Sequence, residues 1–122
     1  MRKNQLWTIL TGIVCLAMLG FNCKKSADAV VDCLGESLLT SIKVNVDATN
    51  PKLVHVEVNY SGSLTVASVT YNYGDGTTET LTAKTSSHVY TAAGTYTVTT
   101  SIKLTRGSST CTPSPKKTIT VN

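Results

Sequence analysis

The feature that most constrains the fold of this chain is a two-residue alternation of apolar and polar side chains, which begins near residue 42 and recurs to the C-terminus. Val54, Val56 and Val58 alternate with His55 and Glu57, for example. Such alternation in segments rich in β-branched residues is typical of half-buried antiparallel strands. About seven segments of this kind, roughly 8–14 residues apart, favour a sandwich over a parallel α/β sheet. We therefore expect an all-β fold, an antiparallel β-sandwich of about seven strands.

The alternation also predicts which side chains face the core. Residues 78–82 and 87–90 are shorter and less regular, and residues 33–40 are compatible with one helical turn. The expected inward positions are Ile42, Val44, Val46, Val54, Val56, Val58, Tyr60, Val69, Tyr71, Tyr73, Tyr96, Val98, Thr100, Ile102, Leu104, Ile119 and Val121.

Three short segments add a family resemblance. Residues 71–76 read Tyr-Asn-Tyr-Gly-Asp-Gly, residues 88–90 read His-Val-Tyr, and residues 94–98 read Gly-Thr-Tyr-Thr-Val. In this order and spacing they resemble the PKD domain, a small immunoglobulin-like β-sandwich found outside cells. The resemblance covers about residues 41–122 and implies a binding or spacing module rather than an enzyme. Tyr71 and Tyr73 depart from the pattern, since the family usually has Trp and Phe there.

The Gly74-Asp75-Gly76 segment is interpreted as a tight turn. Glycine adopts positive φ without steric penalty, and an aspartate between two glycines accepts hydrogen bonds from the amides of its own turn. The alternative is that Asp75 binds calcium. Calcium takes 6–8 oxygen ligands, and Glu79 is the only other acid nearby. We expect a structural turn and no metal.

The resemblance implies structural roles for His88, Tyr90 and Tyr96. His88 is expected to bond to a backbone group or to the turn, and Tyr96 resembles the tyrosine corner of immunoglobulin-like folds. A catalytic histidine would need a nucleophile and an orienting acid, but no nucleophile signature such as Gly-x-Ser-x-Gly is present. We expect no catalytic residue and no cofactor, and a solvent-exposed His55.

The N-terminal segment predicts export. Residues 1–3 are positively charged, and residues 6–21 are uncharged, mostly apolar and too short for the about 20 residues of a membrane span. Residues 19–25 resemble a bacterial lipoprotein signal with Cys23 as the lipid-modified residue; Cys15 is a poorer alternative. The predicted organisation is a signal peptide over 1–22, a tether over 23–32 and the PKD-like domain over 33–122. An uncleaved anchor and an ordinary cleaved signal are the alternatives.

Cys33 and Cys111 remain after lipidation of Cys23. In an immunoglobulin-like sandwich the first and last strands can run parallel side by side, with both starting at one end, so the resemblance places these two cysteines near each other and implies a disulfide. An exported compartment permits such a bond. The alternative is two free thiols. A zinc site is not expected, because neither cysteine has a histidine at ligand spacing.

Charge and domain content bound the function. From Cys23 onward the chain has nine basic and seven acidic residues, and the basic ones are scattered, which argues against nucleic-acid binding. We expect a non-catalytic lipoprotein of the bacterial cell envelope, at the outer membrane or cell surface among other locations. Its membrane contact would be the lipid anchor alone, and its partner an envelope protein or a polysaccharide. A spacer or surface-coat protein without a ligand is the alternative, and a small hydrolase is disfavoured.

Overall fold

The computed structural model describes residues 33–122, so the predicted signal peptide, the tether and Cys23 lie outside the described residues. A short helical segment over residues 33–38 precedes eight strands. The strands are β1 (Thr40–Val46), β2 (Leu53–Tyr60), β3 (Thr65–Asn72), β4 (Thr78–Leu81), β5 (Thr85–Val89), β6 (Gly94–Arg106), β7 (Ser109–Cys111) and β8 (Lys116–Val121). Across these residues, no helix has the length and apolar character needed to cross a membrane.

The strands form two sheets in which every pair is antiparallel. The smaller sheet has the order β1-β2-β5, and the larger has β4-β3-β6, with β7 and β8 both paired to β6. The predicted immunoglobulin-like sandwich is confirmed, with eight strands rather than about seven. The additional strand arises because the chain reverses at Gly107, whose φ of 59° suits a tight hairpin, and forms β7 before it reaches β8.

The core lies between the two sheets and is built from the alternating inward positions. Val46 differs from its expectation, since it is 38% exposed. It is the last residue of β1, which is an edge strand, so little of the opposite sheet covers it. The side chains with no exposed surface are Val54, Val69, Tyr71, Val98, Thr100, Ile102 and Leu104.

An irregularity in β3 extends the core beyond the simple alternation. Val66 pairs with Leu104 and Ser68 pairs with Lys103, so β3 has one more residue than β6 at this point. A β-bulge of this kind shifts the side-chain alternation by one residue. As a result Val66, three residues before Val69, also packs against the core.

A disulfide joins the helical segment to the larger sheet. Cys33 and Cys111 are bonded, with their Cα atoms 5.5 Å apart, which supports the predicted pairing. Cys111 is the last residue of β7. Beyond it, the carbonyl oxygens of Pro113 and Pro115 accept hydrogen bonds from β6 at 2.9 and 3.0 Å, so this edge stays paired although proline itself cannot donate.

Candidate functional site

The Gly-Asp-Gly turn connects β3 to β4 beside β6. Gly74 and Gly76 have φ values of 80° and 93°, a region that glycine adopts without steric penalty. A Cβ atom on Gly74 would lie 2.6 Å from the carbonyl oxygen of Thr97, whereas one on Gly76 would meet nothing within 4 Å. Gly74 therefore serves both the turn and the close approach of β6, and Gly76 serves the turn alone.

Asp75 ties this turn to β5. Its Oδ1 accepts a hydrogen bond of 2.9 Å from the Thr77 amide, and its Oδ2 lies 2.7 Å from Nε2 of His88. An ionised carboxylate only accepts hydrogen bonds, so the proton of this contact is on Nε2. Burial alone would raise the pKa of Asp75, but the hydrogen bonds from His88 and Thr77 outweigh it and lower that pKa. Of the two partners expected for His88, a backbone group or the turn, the structure has the turn.

Four aromatic rings, including that of His88, form a continuous series of ring contacts. His88 lies face to face with Tyr73, with ring centroids 4.1 Å apart, and meets the edge of Tyr90 at 4.8 Å. Tyr90 stacks on Tyr96 at 4.1 Å, and its hydroxyl donates a 2.8 Å hydrogen bond to the Tyr73 carbonyl oxygen. Stacked and edge-on pairs at these distances are favourable aromatic arrangements. The three sequence segments that resemble the PKD domain thus meet in one cluster.

The tyrosine hydroxyls of the cluster reach polar partners at its margin. Tyr96 donates to the carbonyl oxygen of Ala92, four residues earlier, at 2.9 Å, which is the geometry of a tyrosine corner. Tyr71 donates to the Ala83 carbonyl oxygen at 2.9 Å. Burial raises the pKa of Tyr71 and of Tyr90 to about 12. Tyr71 and Tyr90 therefore remain neutral at physiological pH and act as structural donors.

Glu79 is a site residue whose role was missed from the sequence. Its carboxylate accepts hydrogen bonds from Tyr73 and Ser86, and these bonds, that from Ser86 first, lower its pKa. The available signal was Leu81, which lies two residues further along β4 and packs against the core. That spacing places Glu79 on the core-facing side of the strand.

These contacts bear on the calcium alternative for the turn. The carboxylates of Asp75 and Glu79 are both engaged in protein hydrogen bonds, to different partners. Within residues 33–122, no three His, Cys, Asp or Glu side chains are grouped so that they could hold one metal ion. The arrangement is that of a structural turn.

A second histidine pair lies on the outer face of the smaller sheet. Nδ1 of His55 is 2.9 Å from the Ser87 hydroxyl, and Nε2 is 3.3 Å from Asp47 Oδ2. This order of groups matches a nucleophile–base–acid chain, but half of the His55 side chain is exposed. Catalysis also needs donors that stabilise the transition state, and these act most strongly in a site from which water is excluded. We interpret the hydrogen-bonded series Ser87–His55–Asp47 as a surface link between β1, β2 and β5. His55 is exposed, as expected, but it is hydrogen-bonded.

The outer face of the larger sheet is covered with hydroxyl groups, and we call it the hydroxyl face. Hydroxyl pairs cross from strand to strand at 2.8–3.2 Å and span β4, β3, β6 and the edge that contains β8. Such pairs stabilise a sheet by about 0.2–1 kcal/mol each. Regularly spaced hydroxyls on a flat sheet also offer donors and acceptors to a partner. The pairs are Thr70–Thr80, Thr95–Thr120, Thr97–Thr118 and Ser101–Ser114.

The two packed antiparallel sheets, the tyrosine corner and the Asp-His-tyrosine cluster define an immunoglobulin-like β-sandwich module. A family model described as PKD domain matches residues 41–121, about two thirds of the chain, and the chain belongs to this family. No curated protein matches it.

Two solved structures show the same fold. One is the PKD1 domain from the Vibrio cholerae metalloprotease PrtV, at 20% identity and a TM-score of 0.56, covering 68% of this chain and 94% of that one. The other is the PKD1 domain of Vibrio anguillarum Epp, at 18% identity and a TM-score of 0.55, covering 68% and 93%. At these identities the likeness establishes the fold alone.

Proposed function

We propose that this chain is a non-catalytic, lipid-anchored binding protein of the bacterial cell envelope, and that its PKD domain contacts another envelope protein through the hydroxyl face. PKD domains are generally non-catalytic modules, and a match over residues 41–121 supports that class of function. The observation that carries the choice of surface is the set of exposed hydroxyls that crosses the larger sheet from edge to edge.

The placement of the tyrosines supports a protein partner over a polysaccharide. Modules that bind sugars by stacking need exposed aromatic rings. In residues 33–122 the five tyrosines are buried or half-buried, and their hydroxyls are engaged in the hydrogen bonds of the core margin. Lys103 and Lys116 add positive charge to the hydroxyl face. A hydrogen-bonding or acidic protein surface fits this chemistry best.

The test uses one charge placed on each sheet. The C-terminally tagged chain is expressed in its own host, intact cells are cross-linked, and the membrane fraction is purified. We expect one dominant envelope protein, lost in Thr97→Glu, which alters the hydroxyl face at the Thr97–Thr118 pair, and kept in the control Ser41→Glu on the smaller sheet. Circular dichroism checks that both variants are folded. Recovery of polysaccharide would replace a protein partner with a glycan, and recovery of background alone would favour a spacer.

The lipid anchor is tested separately. Cys23→Ser should abolish incorporation of a labelled fatty acid and release the chain from membranes, because stable anchoring needs the two or more acyl chains of a modified cysteine. Cys15→Ser is the matched control, since that cysteine lies within the apolar segment. Unchanged labelling in Cys23→Ser would reject Cys23 as the anchor.

A further inference from the structure

The helical segment over residues 33–38 exposes its apolar side chains and buries its charged one. A surface helix ordinarily buries its apolar side and exposes its charges. Here Leu34 is 68% exposed and Leu38 81%, whereas Glu36 is only 9% exposed. Leu34 and Leu38 are four residues apart and lie on one side of the helical turn, and Leu39, which follows, is 43% exposed. We call this end of the sandwich the leucine end.

Specific bonds hold the leucines outward. The disulfide from Cys33 fixes the start of the segment to β7. The Glu36 carboxylate accepts hydrogen bonds from the hydroxyls of Tyr60 and Ser63, which pulls the polar side of the helix against the sandwich. At the other end of the segment, the Thr40 hydroxyl donates to the Ser37 carbonyl oxygen at 2.8 Å. The exposed leucines are therefore displayed on a fixed part of the fold, not on a loose terminus.

Each end of the sandwich carries charges of both signs. At the leucine end, Lys84, whose carbonyl oxygen accepts a 2.7 Å hydrogen bond from Val58, and Arg106, the last residue of β6, are exposed, and so is Glu57, which pairs with Thr85. Asp47, just after β1, and Asp75, in the turn after β3, lie at the opposite end with Lys52. Exposed leucines and basic side chains on one end are suited to an anionic bilayer surface.

The short distance along the chain between Cys23 and the leucines favours a membrane as the partner of the leucine end. The leucines follow closely on the 32 residues that lie outside the described structure, and Cys33 comes ten positions after Cys23. Ten extended residues reach at most about 36 Å, so an anchor at Cys23 keeps the leucine end close to the membrane. A docking site for a distant partner would not need to lie at this end.

We propose that Leu34, Leu38 and Leu39 insert into the interface of the anionic bilayer that holds the chain, so that the domain stands on its leucine end and turns the opposite end away from the membrane. The proposal uses the membrane placement of the proposed function and adds an orientation to it. It also revises the expectation that the lipid anchor is the sole membrane contact.

The test measures tryptophan quenching in the full chain. Trp7 is the only tryptophan and lies in the predicted signal peptide, so Trp7→Phe keeps the background silent in any chain that retains this segment. Leu38→Trp reports on the leucine end, and Val89→Trp is the control, because Val89 is 54% exposed at the far end of the smaller sheet. Each variant is purified from membranes of its host and reconstituted in phosphatidylglycerol-containing vesicles, with and without brominated acyl chains.

We expect brominated lipid to reduce the emission of Leu38→Trp about twofold, since interfacial segments place apolar side chains roughly 5–10 Å into the headgroup and acyl boundary. The emission of Val89→Trp should stay unchanged. Equal quenching of both variants, or of neither, would overturn the proposal. The mass of the N-terminal peptide reports acylation of Cys23 independently, so an unmodified Cys23 would contradict the anchor while the quenching still decides the leucine contact.

Discussion

The two glycines of the turn provide a test of the packing between β3 and β6. Both need positive φ, but only Gly74 lies against the backbone of β6. Gly74 and Gly76 both have positive φ. An alanine in that region costs about 1–2 kcal/mol, and the stiffer unfolded chain returns about 0.4–1 kcal/mol. Gly76→Ala, which meets nothing within 4 Å, should therefore lower the free energy of unfolding by at most about 1.6 kcal/mol.

Gly74→Ala should cost more. Its Cβ would lie 2.6 Å from the Thr97 carbonyl oxygen, where ordinary contact begins at 3.4 Å. The backbone of β6 would have to move by most of that difference, and overpacking of this kind costs typically about 1–3 kcal/mol. The expected total loss is about 1–4.6 kcal/mol.

The assay is urea unfolding of both variants and the parent chain, followed by circular dichroism with the disulfide intact. The difference between the two losses cancels most of the cost of positive φ, which both variants share, and leaves the cost of the contact with Thr97. Equal losses, or a milder effect at Gly74, would refute the conclusion that β6 sets the need for glycine at that position.

Three further predictions concern the cluster and the disulfide. Replacement of both Cys33 and Cys111 by serine removes a disulfide that joins residues 78 positions apart. In urea titrations this double variant should lose at most about 4.5 kcal/mol of the free energy of unfolding. A loss near zero would mean that the unfolded chain is not constrained by the bond. The pKa values of Asp75 and Glu79 are lowered from 3.8 and 4.5, so their stabilisation is complete above those ordinary values and is lost as the pH falls below them and through the lowered pKa values of the folded protein. Thermal melts from pH 6 to pH 2 should show this loss, and Asp75→Asn should flatten the profile; an unchanged slope would exclude Asp75 as a contributor. Tyr96→Phe removes one hydrogen bond and should cost about 1 kcal/mol in urea unfolding, and an unaltered midpoint would contradict a stabilising tyrosine corner.

The strands and most of their core positions could be predicted because a strand repeats every two residues along the chain itself. The valines of β2 and the apolar residues of β6 face the core as the alternation indicates. The prediction was wrong at Val46 because exposure there depends on the end of an edge strand, which alternation does not locate. It also missed Val66, because a bulge inserts one residue and breaks the repeat.

The turn was recognisable for a similar, local reason. Glycine adopts positive φ and aspartate bonds to the amides of its own turn, so residues 74–76 favour a tight turn over a continuing strand. The sequence does not show, however, that Gly74 lies against Thr97. That contact depends on the distance between two strands more than twenty residues apart.

The sequence by itself therefore determined the strand pattern, the tight turn and the family, because each of these depends on residues that are close together along the chain. Tertiary structure alone decided which side chains meet and which surfaces stay open. Asp75 finds His88, thirteen residues away, only when β5 packs beside the turn. Leu38 is exposed because Glu36 takes the inward position and bonds to Tyr60, twenty-four residues further on. Contacts between distant segments depend on packing, and packing has no period that a sequence can display.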